Sequence, residues 1–115
     1  MDIKEFEKRI KEIKKIIREI IKLARILKAK RVKVRVSLSF NSVNFFIIIK
    51  ETDVVLKQGL VIDIDFDKKT MIFKAHGLKY SYFKEFDYNP EKILIIGEKY
   101  GKKFENDDGE KIKVG

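Results

Sequence analysis

Cysteine is missing altogether from the 115 residues, which removes disulfides, cysteine–zinc sites and thiol nucleophiles from consideration. Histidine, proline and glutamine occur once each, as His76, Pro90 and Gln58. A lone histidine beside Gly77, with no nucleophile or orienting carboxylate near it in sequence, does not make a general-base site. Apolar runs are only a few residues long, far short of the roughly 20 that span a bilayer. The N-terminus alternates charge and isoleucine, where a secretory leader would show a basic cap and an apolar stretch. No membrane partner is therefore expected, and the expected location is cytoplasmic. Scarcity of proline and glutamine beside abundant lysine, isoleucine and glutamate is a thermophile bias. It points to a hyperthermophilic archaeon or archaeal virus as the source.

What is present is a folded, heavily charged composition, 44% hydrophobic and 39% charged. The length suits one domain covering 1–115 and a core that needs no staples. The net charge of +9 is unevenly placed: residues 1–40 hold fourteen Lys/Arg against five Asp/Glu, whereas residues 41–115 hold thirteen of each. The whole excess lies on the first third of the chain, and localised charge of this kind steers anionic partners.

Periodicity organises the rest. Asp2 followed by Glu5 reads as a helix N-cap with a capping-box partner. Ile3, Phe6, Ile10, Ile13, Ile17, Ile20, Ala24 and Leu27 then repeat at 3–4 spacing, one face of a helix of roughly 26 residues. The stripe is narrow at first, as in a coiled coil, and widens later through Ile16, Ile21, Leu23 and Ile26, as in a helix lying on a sheet. After Lys30 the period becomes two, with Val32, Val34, Val36, Leu38 and Phe40 alternating with polar residues along a strand. A turn at Asn41-Ser42 leads into Val43–Lys50, apolar on both faces and so a central strand. Further strands are expected at 54–57, 60–66, 71–75 and 78–83, with turns at 67–70 and His76-Gly77. Asn89-Pro90-Glu91 has the residues of a helix start, but the β-branched run Ile93–Ile96 before Gly97 favours a strand. Asn106–Gly109 reads as a turn between Phe104 and Ile112. The expected fold is α+β, a long N-terminal amphipathic helix on a mostly antiparallel sheet of five to six strands. One helix covers only one sheet face, so the doubly apolar strand also implies a homodimer, through sheet faces or the narrow seam of the helix.

The strongest functional pattern is a second stripe on the helix. Lys4, Lys8, Lys11, Lys15, Arg18, Lys22 and Arg25 follow 4–3 spacing on the side away from the apolar seam. Arg31, Lys33 and Arg35 could prolong this basic tract along one face of the next strand. Seven cations in a row can neutralise phosphates without reading sequence. The competing reading is a solvated face whose charge is diluted by Glu5–Lys8, Glu12–Lys15 and Glu19–Lys22 pairs. Likewise, Arg31, Lys33 and Arg35 could pair with Asp63, Asp65 and Asp67 on a neighbouring strand.

Three weaker patterns complete the reading. Asp63, Asp65 and Asp67 with Lys69 are similar to the acidic-pair-plus-lysine arrangement of metal-dependent nucleases, whose Mg²⁺ prefers oxygen ligands; Asp67 and Lys69 fall at a turn, however. The segment Ile93–Lys103 resembles a strand entering a phosphate-binding loop, but its glycine spacing is one residue short and no Ser/Thr follows the lysine. Tyr80, Tyr82, Phe83, Phe86 and Tyr88 could stack bases or fill a core. Taken together, these patterns lead to an expectation of a small basic protein that binds DNA or RNA, with no cofactor and no enzymatic activity. The alternatives are a structural or protein-interaction module and a metal-dependent nuclease.

Overall fold

In the computed structural model, which describes residues 1–51, 57–76 and 81–102, α1 spans Ile3–Ile26 and opens as its capping signal dictates. The Asp2 carboxylate accepts the Glu5 amide at 2.8 Å, satisfying one of the donors that a helix start leaves orphaned. At the other end, Ala29 N–H returns to the Ala24 carbonyl at 2.9 Å. Lys28 takes the left-handed conformation, φ 54°, and turns the chain into β1 (Arg31–Val36).

The remaining strands are β2 (Ser42–Glu51), β3 (Lys57–Asp65), β4 (Thr70–His76) and β5 (Ser81–Asp87). They form one five-stranded antiparallel sheet in the order β1-β2-β3-β4-β5. A short 3₁₀ turn, Pro90–Lys92, leads into α2 (Ile93–Gly101). The α+β architecture is thus the one that the periodicities imply.

β1 is shorter than its alternation suggests. It stops at Val36, Ser37–Asn41 form the connection, and Phe40 sits at φ 57°. The Ser37 hydroxyl accepts the amides of Asn41 and Ser42, a local alternative to ladder pairing. Expected structure at 54–56, 77–80 and 104–112 lies outside the described residues. Of the strand expected at 78–83, residues 81–83 fall in β5, which runs on to Asp87.

The clearest departure from expectation is Ile93–Ile96, which is helical. Asn89 accepts the Glu91 amide at 3.1 Å, and Pro90 supplies the preset first position. The buried residues Ile93, Gly97, Tyr100 and Gly101 fall at i, i+4, i+7 and i+8, one helix face. Burial of that face overrides the modest β-propensity of isoleucine.

Gly97 and Gly101 are therefore no loop glycines. A Cβ at Gly97 would stand 2.2 Å from Leu23 Cδ2, and one at Gly101 would stand 2.4 Å from Leu27 Cδ1. The two bare positions let α2 lie against the C-terminal half of α1.

Both helices cover the same sheet face. Ile13, Ile16, Ile20 and Leu23 of α1 close over Val43, Phe45 and Ile47, while Tyr100 of α2 stacks on Phe73 at 6.4 Å. Among the described residues no helix packs on the opposite face.

Candidate functional site

The ten cations singled out in the sequence are all exposed, but the fold divides them into two surfaces. Lys4, Lys8, Lys11, Lys15, Arg18, Lys22 and Arg25 form a ridge on the outer side of α1. At 3.6 residues per turn, its centre lies roughly 150° around the helix from the buried Ile13, Ile16, Ile20 and Leu23. Arg31, Lys33 and Arg35 alternate with Val32, Val34 and Val36. Their register partners are Ile48, Phe46 and Asn44, on the sheet face away from the helices. The ridge and the strand row consequently point to opposite sides of a two-layer molecule and do not merge into one track.

Much of the ridge is unmasked. Of the three expected carboxylate pairs, only Lys22–Glu19 forms, at 3.4 Å. Among the described residues Lys4, Lys8, Lys11, Lys15, Arg18 and Arg25 make no ion pair. Glu12 turns away from Lys15 and accepts the Tyr88 hydroxyl instead. Burial first, and then the hydrogen bond to Glu12 and the charge of that carboxylate, push the Tyr88 hydroxyl well above the ordinary tyrosine range; nearby Arg9 works in the other direction.

Arg9 belongs to the same anchorage: its guanidinium donates to the Phe40 carbonyl and lies 4.2 Å from the centre of the Phe66 ring. Arg9 and Glu12 thus tie the first half of α1 to the sheet, and the row beside them is left facing solvent. Lys15, Arg18, Lys22 and Arg25 border a shallow furrow of about 420 Å³ with Glu19 and Ile21.

The row on β1 has different surroundings. Arg31 pairs with Glu51 at 2.7 Å. Among the described residues, Arg31 and Arg35 make none of the expected pairs with Asp63, Asp65 and Asp67, because β2 lies between β1 and β3. Asp63 is instead held by Lys74 at 2.7 Å and by the Asn44 amide. Asp65 accepts the Asp67 and Lys68 amides at 3.0 Å within the β3–β4 turn, and Asp67 accepts from Asn41. Each carboxylate has its own local task, and among the described residues no group of three or more metal-ligating side chains comes together.

The open sheet face joins Lys33 and Phe83, each expected to matter on its own, to Phe46, Val61 and Lys74. Strand registers place Lys33, Phe46, Val61, Lys74 and Phe83 in one row across all five strands. Phe83 is 72% exposed, and Phe46, Val61 and Lys74 are half-buried. A depression of about 770 Å³ lies here, lined by Lys33, Arg35, Asn44, Phe46, Asp63 and Lys74 among others. The hint available in the sequence was the doubly apolar β2. Its partners could not be named without the register, since a one-residue slip exchanges the two faces.

The aromatic segment 80–88 divides accordingly. Phe86 packs on Phe73 and Tyr88 on Phe66, with ring centres 5.6 and 5.7 Å apart, whereas Phe83 points out. Among the described residues no helix is long and apolar enough to cross a membrane. In comparisons with known proteins, no family model matches the chain, and neither a curated protein nor a solved structure is significantly similar to it.

Proposed function

We propose that this protein binds nucleic acid without catalysing a reaction on it, by laying the ridge of α1 against the phosphates of a DNA or RNA duplex. The observation that carries this reading is the row from Lys4 to Arg25, in which six of seven cations have no ion-pair partner among the described residues. At 1.5 Å per residue the row extends about 32 Å, close to one turn of B-DNA at about 34 Å. A row of lysines and arginines can neutralise phosphates without reading base edges, so the proposed binding is independent of sequence and governed by counterion release.

Six such contacts correspond to a slope of about −5 in log K against log salt on duplex DNA, or a loss of about 10³ in affinity between 50 and 200 mM. A filter-binding titration of a mixed-sequence duplex tests this. The quadruple variant Lys11→Glu, Lys15→Glu, Arg18→Glu, Lys22→Glu should bind at least about a hundredfold more weakly at 50 mM salt. Absence of binding at 50 mM salt, or a slope near zero, ends the proposal.

A second reading, that the chain also contacts a copy of itself, is favoured by the N-terminal flank of α1. Ile3 is 77% and Phe6 41% exposed, and Val34, Val36 and Leu38 near the β1 edge are exposed as well. A homodimer would bury this strip while leaving both ridges open. Light scattering that returns a monomer mass at micromolar concentration rejects the dimer and leaves the ridge proposal standing.

A further inference from the structure

The open face of the sheet is unlike the ridge in kind. Its middle row runs Lys33–Phe46–Val61–Lys74–Phe83, so that cations and apolar surfaces are interspersed across the strands. With strands about 4.8 Å apart, the rings of Phe46 and Phe83 stand about 14 Å from each other. Arg35, which makes no ion pair among the described residues, lies one strand position further along and borders the same depression.

We infer that this face is a second site, selective for single-stranded nucleic acid, in which Phe46 and Phe83 stack on unpaired bases while Lys33, Arg35 and Lys74 meet the backbone. The inference rests on the nucleic-acid reading above but concerns a separate surface on the opposite side of the molecule.

Three observations favour this occupant. Phe46 and Val61 are partly exposed in the depression and Phe83 stands exposed further along the row; such apolar surfaces can meet base faces only where those faces are not already stacked within a duplex. Among the described residues the depression is bordered by three cations and one carboxylate, and the pairing of Asp63 with Lys74 leaves the surplus charge positive. Finally, Asp65, Glu85 and Asp87 sit towards one end of the strands, while Glu51 at the other end is taken up by Arg31. A polyanion is therefore steered across the strands along the middle row, and not down them towards the acidic end.

The test uses the full chain, a fluorescently labelled fifteen-nucleotide oligo-dT and a fifteen-base-pair duplex, with anisotropy read at 50 mM salt. The double variant Phe46→Leu, Phe83→Leu keeps the apolar area and removes only the ring faces. It should lose about tenfold in oligo-dT affinity and stay within twofold of the wild type on the duplex; an unchanged thermal midpoint checks that the fold is intact. The quadruple ridge variant should show the converse pattern.

Equal loss on both ligands, or no loss on oligo-dT, overturns the inference. Duplex binding without oligo-dT binding overturns it while leaving the ridge proposal in place, and binding to neither ligand removes both. If light scattering shows a dimer that Phe83→Glu splits, the face is a contact between copies and the inference is likewise overturned.

Discussion

The two faces of the sheet contrast sharply. Beneath the helices, Val43, Phe45, Ile47, Leu60, Ile62, Met71 and Phe73 are all fully buried, and charge enters their rows only at the edge strand, where Lys84 stands beside Phe73. On the other side, one row passes through lysine, phenylalanine, valine, lysine and phenylalanine, and the next through Arg35, Asn44, Asp63, Ile72 and Glu85. The first face has been shaped by what α1 and α2 must bury. The second keeps apolar area in company with charge, a mixture that a closed core excludes because an unpaired buried charge is costly. The lesson is that exposure by itself does not distinguish the faces functionally; the alternation of chemistries does.

The contrast can be broken most forcefully at Phe73. It packs against Phe86 and Tyr100, and Phe73→Ala should cost about 3–5 kcal/mol of stability, measured by denaturant unfolding. The matching truncation on the open face, Phe83→Ala, should fall within about 0.5 kcal/mol of the wild type. A loss at Phe83 comparable with that at Phe73 would mean that both faces are packed, and the distinction would fail.

Between these extremes lies Tyr88, at the rim where α1 meets the sheet. Tyr88→Phe deletes the hydroxyl that donates to Glu12 and should cost about 1.5–3 kcal/mol at neutral pH, as for a hydrogen bond to a charged group. The pH dependence has a definite sign. Folding raises the pKa of this hydroxyl, so its contribution is fully present below the unfolded tyrosine value of about 10 and is lost as pH rises towards the higher folded value. The stability gap between wild type and Tyr88→Phe should therefore hold steady from about pH 7 to 9 and narrow above pH 10. A gap that grows with alkali would contradict the assignment.

Much of the fold was legible because its signals are local. The Asp2 cap, the α1 stripe, the alternation in β1 and β3 and the Asp67–Thr70 turn each announce themselves within a few residues. Ile93–Ile96 misled because β-branched propensity is a weak prior, and the packing of Gly97 and Gly101 against Leu23 and Leu27 joins residues more than seventy positions apart.

The candidate site was legible to a similar extent. Exposure of the α1 lysines follows from helical spacing. That Arg31, Lys33 and Arg35 face away from them does not, because it depends on which face of β1 the helix covers. Phe46 and Phe83 were invisible as a pair, since only the registers of three successive strand pairings bring them into one row.

The uninterrupted strand order has a further consequence, for the route by which the chain folds. Each strand pairs with its immediate neighbours in sequence, so the loops that must close are short and the entropic barrier to assembling the meander is low. The exception is α2, whose seat on Leu23 and Leu27 closes a loop spanning most of the protein. The sheet can therefore form ahead of the helix pair, and docking of the last helix is the step that completes the core.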